Sequence, residues 1–192
     1  MRKITFDIET SNIFQDVGKA DPALLDLSVI CVHDSETNEY STYLQEELGE
    51  LWPLIEKADM LIGYNSDHFD IPLLNKYYPG DLTRIKSLDI LKEIKNSLGR
   101  RIKLDSVAEG TLGKKKIGHG LDAITWWKNG EIEKVKKYCK EDVKITKEIY
   151  DYALKNGMLK YKDLSENREI KLDTSGWEEK KDEGSMTHTL PF

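Results

Sequence analysis

The amino-acid sequence predicts an α/β fold in which a mixed sheet, with an antiparallel meander plus parallel strands, is flanked by helices. Two observations support this class. Three strand-like segments follow one another closely at the start of the chain, near 2–9, 27–34 and 39–44, which is the spacing of a meander. Beyond them, segments with helical periodicity alternate with short apolar runs, as expected where helices flank further strands.

The elements after the meander follow in order. The segment 45–58 predicts a helix that ends before a fourth strand at 60–64, because the first residues of that strand form a short apolar run. Pro72 suits the first turn of a helix over 72–78, since proline lacks an N–H that this turn leaves unbonded. A short strand is expected near 85–88. Further helices are predicted near 89–98, 104–110, 121–128 and 131–154.

Two acids lie two residues apart on the first strand, within Phe6-Asp7-Ile8-Glu9-Thr10. Because side chains alternate along a strand, Asp7 and Glu9 share one face while Phe6 and Ile8 share the other. Neighbouring carboxylates repel each other, and a divalent cation is a common compensation. The ordinary alternative is a solvated polar face on an edge strand.

A third acid, Asp70, lies where the fourth strand passes into the helix that Pro72 begins. Side chains at strand-to-helix junctions often bind ligands in α/β proteins. Capping of the helix N-terminus is the structural alternative for Asp70. Asp67, on the same loop, is better explained by capping or by solvation.

The last predicted helix carries an aspartate, Asp142, in the middle of its apolar stripe. An aspartate in such a place is costly unless another group pairs with it. Tyr138 lies one turn earlier, so the two side chains are neighbours on the helix surface. A hydrogen-bonded core tyrosine is the ordinary interpretation of Tyr138.

Taken together, the acids Asp7, Glu9, Asp70 and Asp142 would carry too much charge to converge without cations. Two divalent ions with oxygen ligands are the expected solution, and Mg²⁺ or Mn²⁺ suits such ligands. A site with two metals is typical of in-line displacement at a phosphodiester. In such a site, Tyr138 would hydrogen-bond the attacking water and orient it.

The order of these motifs resembles that of the DEDD superfamily, the DnaQ-like 3′–5′ exonucleases of ribonuclease H fold. The motifs are F-D-I-E-T from Phe6, N-x3-F-D from Asn65 and Y-x3-D from Tyr138. The tyrosine makes the chain similar to the tyrosine branch, which includes the proofreading domains of family B DNA polymerases. The stretch from Ser87 to Leu121 looks most like the YprB-type ribonuclease H-like domain. The resemblance covers about residues 1–155.

The resemblance implies metal-binding roles for the four acids and a catalytic role for Tyr138. It also implies that Thr10 and Asn65 lie close to the terminal nucleotide and that Phe69 supports or stacks near it. The implied activity is 3′–5′ exonuclease action in DNA repair on a single-stranded or frayed 3′ end, with DNA favoured and a helicase or polymerase as partner. Two alternatives stay open: a nucleic-acid-binding accessory module with little activity, and a structure-specific endonuclease on the same fold.

The net charge of −6 is unevenly distributed along the chain. The segment 84–116 contains ten basic and four acidic residues, a net charge of +6, and such a segment can bind phosphates. Lys114, Lys115 and Lys116 are the basic residues that we predict to bind substrate. An ordinary solvated lysine-rich surface is the alternative.

The segment 163–192 differs in character, with eight acids, four bases and little apolar periodicity. We therefore predict a nuclease domain over 1–162 and an acidic, disordered tail over 163–192. The tail ends in Leu190-Pro191-Phe192, an apolar tip that could dock on a sliding clamp.

The remaining composition points to a reducing compartment. Cys31 and Cys139 lack metal-ligand spacing and are expected to be buried free thiols. No apolar run is long enough to span a membrane, so a soluble, cytoplasmic protein is expected.

Overall fold

A five-stranded sheet is the centre of the fold. The computed structural model describes residues 1–115 and 120–179. Its strands are β1 (Lys3–Thr10), β2 (Leu27–Asp34), β3 (Glu39–Leu44), β4 (Met60–Gly63) and β5 (Lys86–Asp89), in the spatial order β3-β2-β1-β4-β5. The first three strands pair antiparallel, while β4 pairs parallel with β1 and β5 pairs parallel with β4. The predicted mixed sheet is confirmed.

Seven α-helices connect or cover these strands in the described residues. They are α1 (Phe14–Val17), α2 (Leu48–Ile55), α3 (Asp70–Asn75), α4 (Ile90–Leu98), α5 (Leu104–Leu112), α6 (Gly120–Lys128) and α7 (Ile132–Asn156). Short 3₁₀ turns occupy Pro22–Leu24, Gln45–Glu47 and Leu82–Arg84. None of the helices in the described part of the chain has the length and apolar character needed to cross a membrane.

The two faces of β1 pack against different helices. Ile4, Phe6 and Ile8 pack with apolar residues of α2 and α3. The other face of the sheet packs against α7, through a cluster that contains Val29, Cys31, Val135, Cys139 and Val143. Because Asp7 and Glu9 alternate with the first set, they share the face that α7 covers. The two cysteines are buried free thiols, as predicted.

A β-hairpin follows α7 and corrects the prediction of a disordered tail. Its strands are β6 (Met158–Asp163) and β7 (Glu166–Lys171), which pair antiparallel. Leu159, Tyr161 and Ile170 are buried in a core with residues of α4, α5 and α7. The boundary predicted at residue 162 therefore falls inside a folded unit. The apolar pattern of this segment is weak because Ile170 is the one buried residue of β7.

The chain after the hairpin is also ordered as far as the structure describes it. Trp177 is buried and stacks on Tyr150 with ring centroids 5.8 Å apart. Glu178 accepts hydrogen bonds from the Tyr150 hydroxyl (2.9 Å) and the Lys3 ammonium (2.6 Å). The prediction of disorder is therefore wrong for residues 163–179. The proposed docking tip, Leu190-Pro191-Phe192, lies outside the described residues.

Helix α5 packs on the hairpin at very close range. A β-carbon added at Gly110 would lie 2.5 Å from the α-carbon of Tyr161, so a side chain there would meet rigid backbone. Beside it, the Thr111 hydroxyl donates to the Lys160 carbonyl (2.6 Å) and accepts from the Lys160 N–H (2.9 Å). The glycine is therefore required for the hairpin to dock.

Replacing Gly110 with alanine should lower the free energy of unfolding by about 1–3 kcal/mol, because the backbone of Tyr161 must move. The measurement is the midpoint of urea unfolding, with an unchanged slope. Gly49→Ala is the matched control, since a methyl group at this position of α2 meets no atom within 4 Å. An unchanged midpoint for Gly110→Ala would contradict the close packing of α5 on β6.

Candidate active site

Three acids from β1 and α7 meet on the face of the sheet that α7 covers. The carboxylate groups of Asp7, Glu9 and Asp142 offer oxygen atoms that all lie within 4.8 Å of one another. Glu9 and Asp142 are buried and Asp7 is half-buried. The thiol of Cys139 donates to the main-chain oxygen of Asp7 (3.2 Å), so α7 is bonded to β1 at the level of the acids. Burial raises the pKa of Cys139 well above its usual value, so the group stays a donor thiol.

The fourth predicted acid, Asp70, is the first residue of α3 and lines the same cleft as Asp7 and Glu9. Strand β4 pairs with β1 only as far as Thr5. Beyond that point the Asp70 carboxylate accepts the N–H of Ile8 (3.1 Å) and takes the place of a strand partner. Burial raises the pKa of Asp70 to about 7, and the hydrogen bond from Ile8 opposes that rise.

The cleft beside the acids has a volume of about 530 Å³. Thr10, Phe14, Asn65 and Phe69 belong to its lining, and so does Leu121 of α6. The rings of Phe14 and Phe69 meet edge to face, with centroids 6.2 Å apart. The Thr10 hydroxyl donates to the main-chain oxygen of Asn12 (2.9 Å). The cleft therefore combines aromatic walls with an acidic end.

Asp89 organises the loop that carries Asn65. Its carboxylate accepts the N–H groups of Asn65 (2.8 Å) and Asp67 (3.2 Å), and it caps α4 by accepting the N–H of Leu91 (2.9 Å). Asn65 has a left-handed backbone conformation (φ +69°), and the hydrogen bond from its N–H to Asp89 stabilises this conformation. Sequence reasoning assigned Asp89 no role. An aspartate before a helical segment does predict a cap, but the bonds to the distant loop leave no local signal.

Tyr138 is buried on α7, one turn before Asp142. Its ring packs edge to face on Trp126, with centroids 5.9 Å apart, and belongs to the core cluster between β2 and α7. It also lines a small, mostly apolar cavity of about 200 Å³ with Trp126 and Lys137. The structure therefore shows the core packing of this residue, and its catalytic role stays a prediction.

Of the three lysines predicted to bind substrate, Lys114 and Lys115 have different surroundings in the structure. The Lys114 ammonium forms an ion pair with both carboxylate oxygens of Glu148 on α7 (2.7 and 2.6 Å), so its charge is compensated. Lys115 is exposed. Lys116 lies outside the described residues. Binding of substrate by these three lysines stays a prediction.

The donor set fits a hard divalent cation. The ligand atoms are carboxylate oxygens from two elements, and the group is held together by main-chain contacts around it. Mg²⁺, Mn²⁺ and Ca²⁺ prefer such oxygens, whereas softer metals prefer sulfur or imidazole. A cation would also offset the repulsion among carboxylates that lie so close together.

Comparisons with known proteins agree with this fold. A family model described as the RNase_H superfamily matches residues 4–154. The chain belongs to the RNase H superfamily. This RNase H-like chain also resembles the family B DNA polymerase from the hyperthermophilic archaeon Pyrobaculum calidifontis, with a TM-score of 0.62 and 17% sequence identity. That match covers 80% of this chain and 24% of the polymerase, and at this identity it is evidence for the fold alone. No curated protein matches the sequence.

Asp70→Asn should stabilise this RNase H-like protein in the absence of metal. The pKa of Asp70 is raised to about 7 in the folded state, so stability falls as the pH rises from about 4, the unfolded-state pKa, and the full penalty is present above about pH 7. Asparagine removes the charge and keeps an oxygen for the N–H of Ile8. In EDTA the melting temperature should rise by several degrees well above pH 7, since 1 kcal/mol corresponds to about 2–4 °C in a chain of this size.

The pH dependence provides the check on this prediction. Below about pH 4 the carboxyl is protonated in both folded and unfolded states, so variant and wild type should melt together. Glu46→Gln, at an exposed position, is the control and should show no pH-dependent difference. A difference for Asp70→Asn that does not change between alkaline and acidic pH would rule out the desolvated carboxylate as its cause.

Proposed function

We propose that the chain is a metal-dependent 3′–5′ exonuclease that hydrolyses phosphodiester bonds of single-stranded or frayed nucleic acid, DNA favoured, by a two-metal mechanism. The observation that carries the proposal is the group formed by Asp7, Glu9 and Asp142, with Asp70 in the same cleft. Membership of the RNase H superfamily supports nuclease chemistry at this site. The likeness to a family B DNA polymerase supports the fold on which such a site is built.

The acids would hold the divalent ions. Asp7, Glu9 and Asp142 offer one closely spaced set of oxygens, and Asp70 offers another donor along the cleft. When bound, Mg²⁺ or Mn²⁺ supplies Lewis acidity that lowers the pKa of an attacking water and stabilises charge on the phosphodiester. The bond from the Ile8 N–H holds the Asp70 carboxylate, and the bond from the Cys139 thiol holds the main chain at Asp7. This preorganisation reduces the rearrangement that binding requires.

The remaining residues of the cleft would recognise the terminal nucleotide. The aromatic walls formed by Phe14 and Phe69 suit a base or sugar, because every base has a flat face that packs on an aromatic ring. Thr10 and Asn65 add polar groups beside those walls. Tyr138, on the same helix as Asp142, would orient the attacking water by a hydrogen bond.

The direct test uses end-labelled DNA with Mg²⁺ or Mn²⁺. A single strand labelled at its 5′ end should shorten stepwise from its 3′ end and release mononucleotides. A 3′-terminal phosphate should stop the reaction, whereas a blocked 5′ end should not, because the cleft would receive the free 3′ terminus. RNA of the same sequence tests the preference for DNA.

Two controls define what counts as success. Asp142→Asn removes one negative ligand with little change of shape and should abolish nucleotide release, while far-ultraviolet circular dichroism stays unchanged. Full activity of Asp142→Asn at saturating metal would refute the metal assignment. A circular single strand has no ends, so internal cleavage at a rate similar to end digestion would favour the endonuclease alternative.

Tyr138→Phe should reduce the rate of nucleotide release about 10- to 1000-fold, in line with the contribution of one hydrogen-bonding group. The reduction should be smaller than that of Asp142→Asn, because no metal ligand is removed. Tyr152→Phe is the control, since this residue lies on the same helix more than two turns beyond Asp142. Equal rates for Tyr138→Phe and wild type would leave Tyr138 with a packing role alone.

A further inference from the structure

A second pocket with basic residues lies beside the acidic cleft. Its volume is about 280 Å³, and Asn65 lines both spaces, so the two are neighbours. The cationic residues of its lining are Lys92 and Lys95 of α4 and Arg101 after that helix. His68, from the loop that follows β4, is exposed at the same pocket.

The two acids in this pocket are compensated by groups of the protein itself. Asp67 accepts from the Lys92 ammonium (2.8 Å) and from the Ser87 hydroxyl (2.6 Å). Asp89 is buried and accepts main-chain N–H groups from its own helix and from the loop that carries Asn65. Burial raises the pKa of Asp89 above its usual value, and the hydrogen bonds from these N–H groups oppose that rise. These carboxylates therefore do little to repel an anion.

Lys95 and Arg101 keep their charge available. Both side chains are exposed, and neither forms an ion pair with a carboxylate of residues 1–115 or 120–179. Arg101 donates to the neutral side-chain oxygen of Asn65, which uses part of its hydrogen-bonding capacity. Guanidinium has five N–H donors in a planar fork, so others remain for a ligand.

Other basic residues of the segment 84–116 are engaged elsewhere in the fold. The Lys86 ammonium donates to the main-chain oxygen of Gly176 (3.0 Å). Arg100 binds the Tyr161 hydroxyl (2.8 Å) and the Asp163 carboxylate (3.5 Å), and Lys114 pairs with Glu148. Lys95 and Arg101 differ from these three residues because they line the pocket next to the cleft and form no ion pair within the described residues.

We propose that Lys95 and Arg101 bind a backbone phosphate of the nucleic-acid strand whose 3′ end occupies the acidic cleft. The inference rests on the proposed function and names the strand's next contact, on the 5′ side of the terminal nucleotide. The arginine fork matches two phosphate oxygens, and the lysine adds a point charge. Asn65 connects the two sites, because it lines the cleft and is bonded to Arg101. A phosphate contact of this kind is independent of sequence.

The first test measures binding without catalysis. The double variant Lys95→Ala/Arg101→Ala is compared with wild type by fluorescence anisotropy of a 5′-labelled oligothymidylate in EDTA at several salt concentrations. The variant should bind about 10-fold more weakly, since each exposed charged group contributes a few-fold. The slope of log K against log salt should fall by about 0.7 for each phosphate that the variant no longer binds.

A matched control removes two positive charges that do not line the pocket. Lys57 and Lys155 are exposed, with Lys57 near the start of β4 and Lys155 in the last turn of α7. Lys155 lies thirteen residues, roughly 20 Å along the helix, beyond Asp142. Lys57→Ala/Lys155→Ala should leave both the affinity and the salt slope close to those of wild type.

The second test separates this pocket from the catalytic centre. The p-nitrophenyl ester of thymidine 5′-monophosphate has one phosphodiester and no neighbouring phosphate. With this ester, kcat/KM of Lys95→Ala/Arg101→Ala should equal that of wild type, while KM for the oligothymidylate rises and kcat stays unchanged. Loss of ester hydrolysis in Asp142→Asn, but not in the double variant, would confirm that the two sites are distinct.

Several outcomes would overturn the proposal. One is an affinity and a salt slope of Lys95→Ala/Arg101→Ala that equal those of wild type; another is a loss of affinity in Lys57→Ala/Lys155→Ala as large as in Lys95→Ala/Arg101→Ala. The proposal would also be wrong if Lys95→Ala/Arg101→Ala hydrolysed the ester as slowly, relative to wild type, as it hydrolyses the oligothymidylate, or if wild type did not bind the oligothymidylate. Failure of the proposed function looks different. In that case wild type hydrolyses neither substrate, while the anisotropy comparison in EDTA still shows whether Lys95 and Arg101 contribute to binding of the oligothymidylate.

Discussion

The site depends on where α7 lies on the sheet. Its apolar stripe packs on β2, and the Cys139 thiol bonds to the main-chain oxygen of Asp7, which fixes both the height and the rotation of the helix. With that contact in place, Asp142 faces the two acids of β1. A shift of one residue along the helix would rotate Asp142 by about 100° and remove it from the group. The packing of small and branched side chains between α7 and β2 therefore determines the geometry of the acidic site.

A second constraint comes from the place where β1 and β4 separate. The strands pair only as far as Thr5, and the gap beyond is bridged by Asp70, which accepts the N–H of Ile8. Asp89 has the same function one strand further on, where it holds the loop of Asn65 and the start of α4. Both carboxylates thus replace strand partners at the carboxyl ends of β4 and β5. The cleft exists because side chains, rather than a continuing ladder, satisfy the backbone there.

Local patterns were enough to predict most of the fold. The alternation of Ile4, Phe6 and Ile8 and the stripe on α7 predicted the strand and the helix on which three of the acids lie, and the structure brings those acids together. Interactions between distant residues were not accessible in the same way. The hairpin of β6 and β7 depends on Gly110 for its docking, and Lys114 pairs with a glutamate 34 residues away. Such contacts depend on the assembled shape, and no short stretch of sequence encodes them.

The last described segment, residues 172–179, indicates which side of the molecule is accessible. Glu178 bonds to Lys3 at the beginning of β1, and Lys86, at the beginning of β5, bonds to Gly176. Strands β1 and β5 run in the same direction, so both begin at the same end of the sheet, and Asp7 and Glu9 lie towards the opposite end of β1. Both ends of the described fold therefore lie at the end of the sheet that is remote from the cleft. A surface tether or fluorescent label attached near either end would leave the cleft facing solution, so the molecule can be immobilised for single-molecule measurements without obstructing an incoming strand.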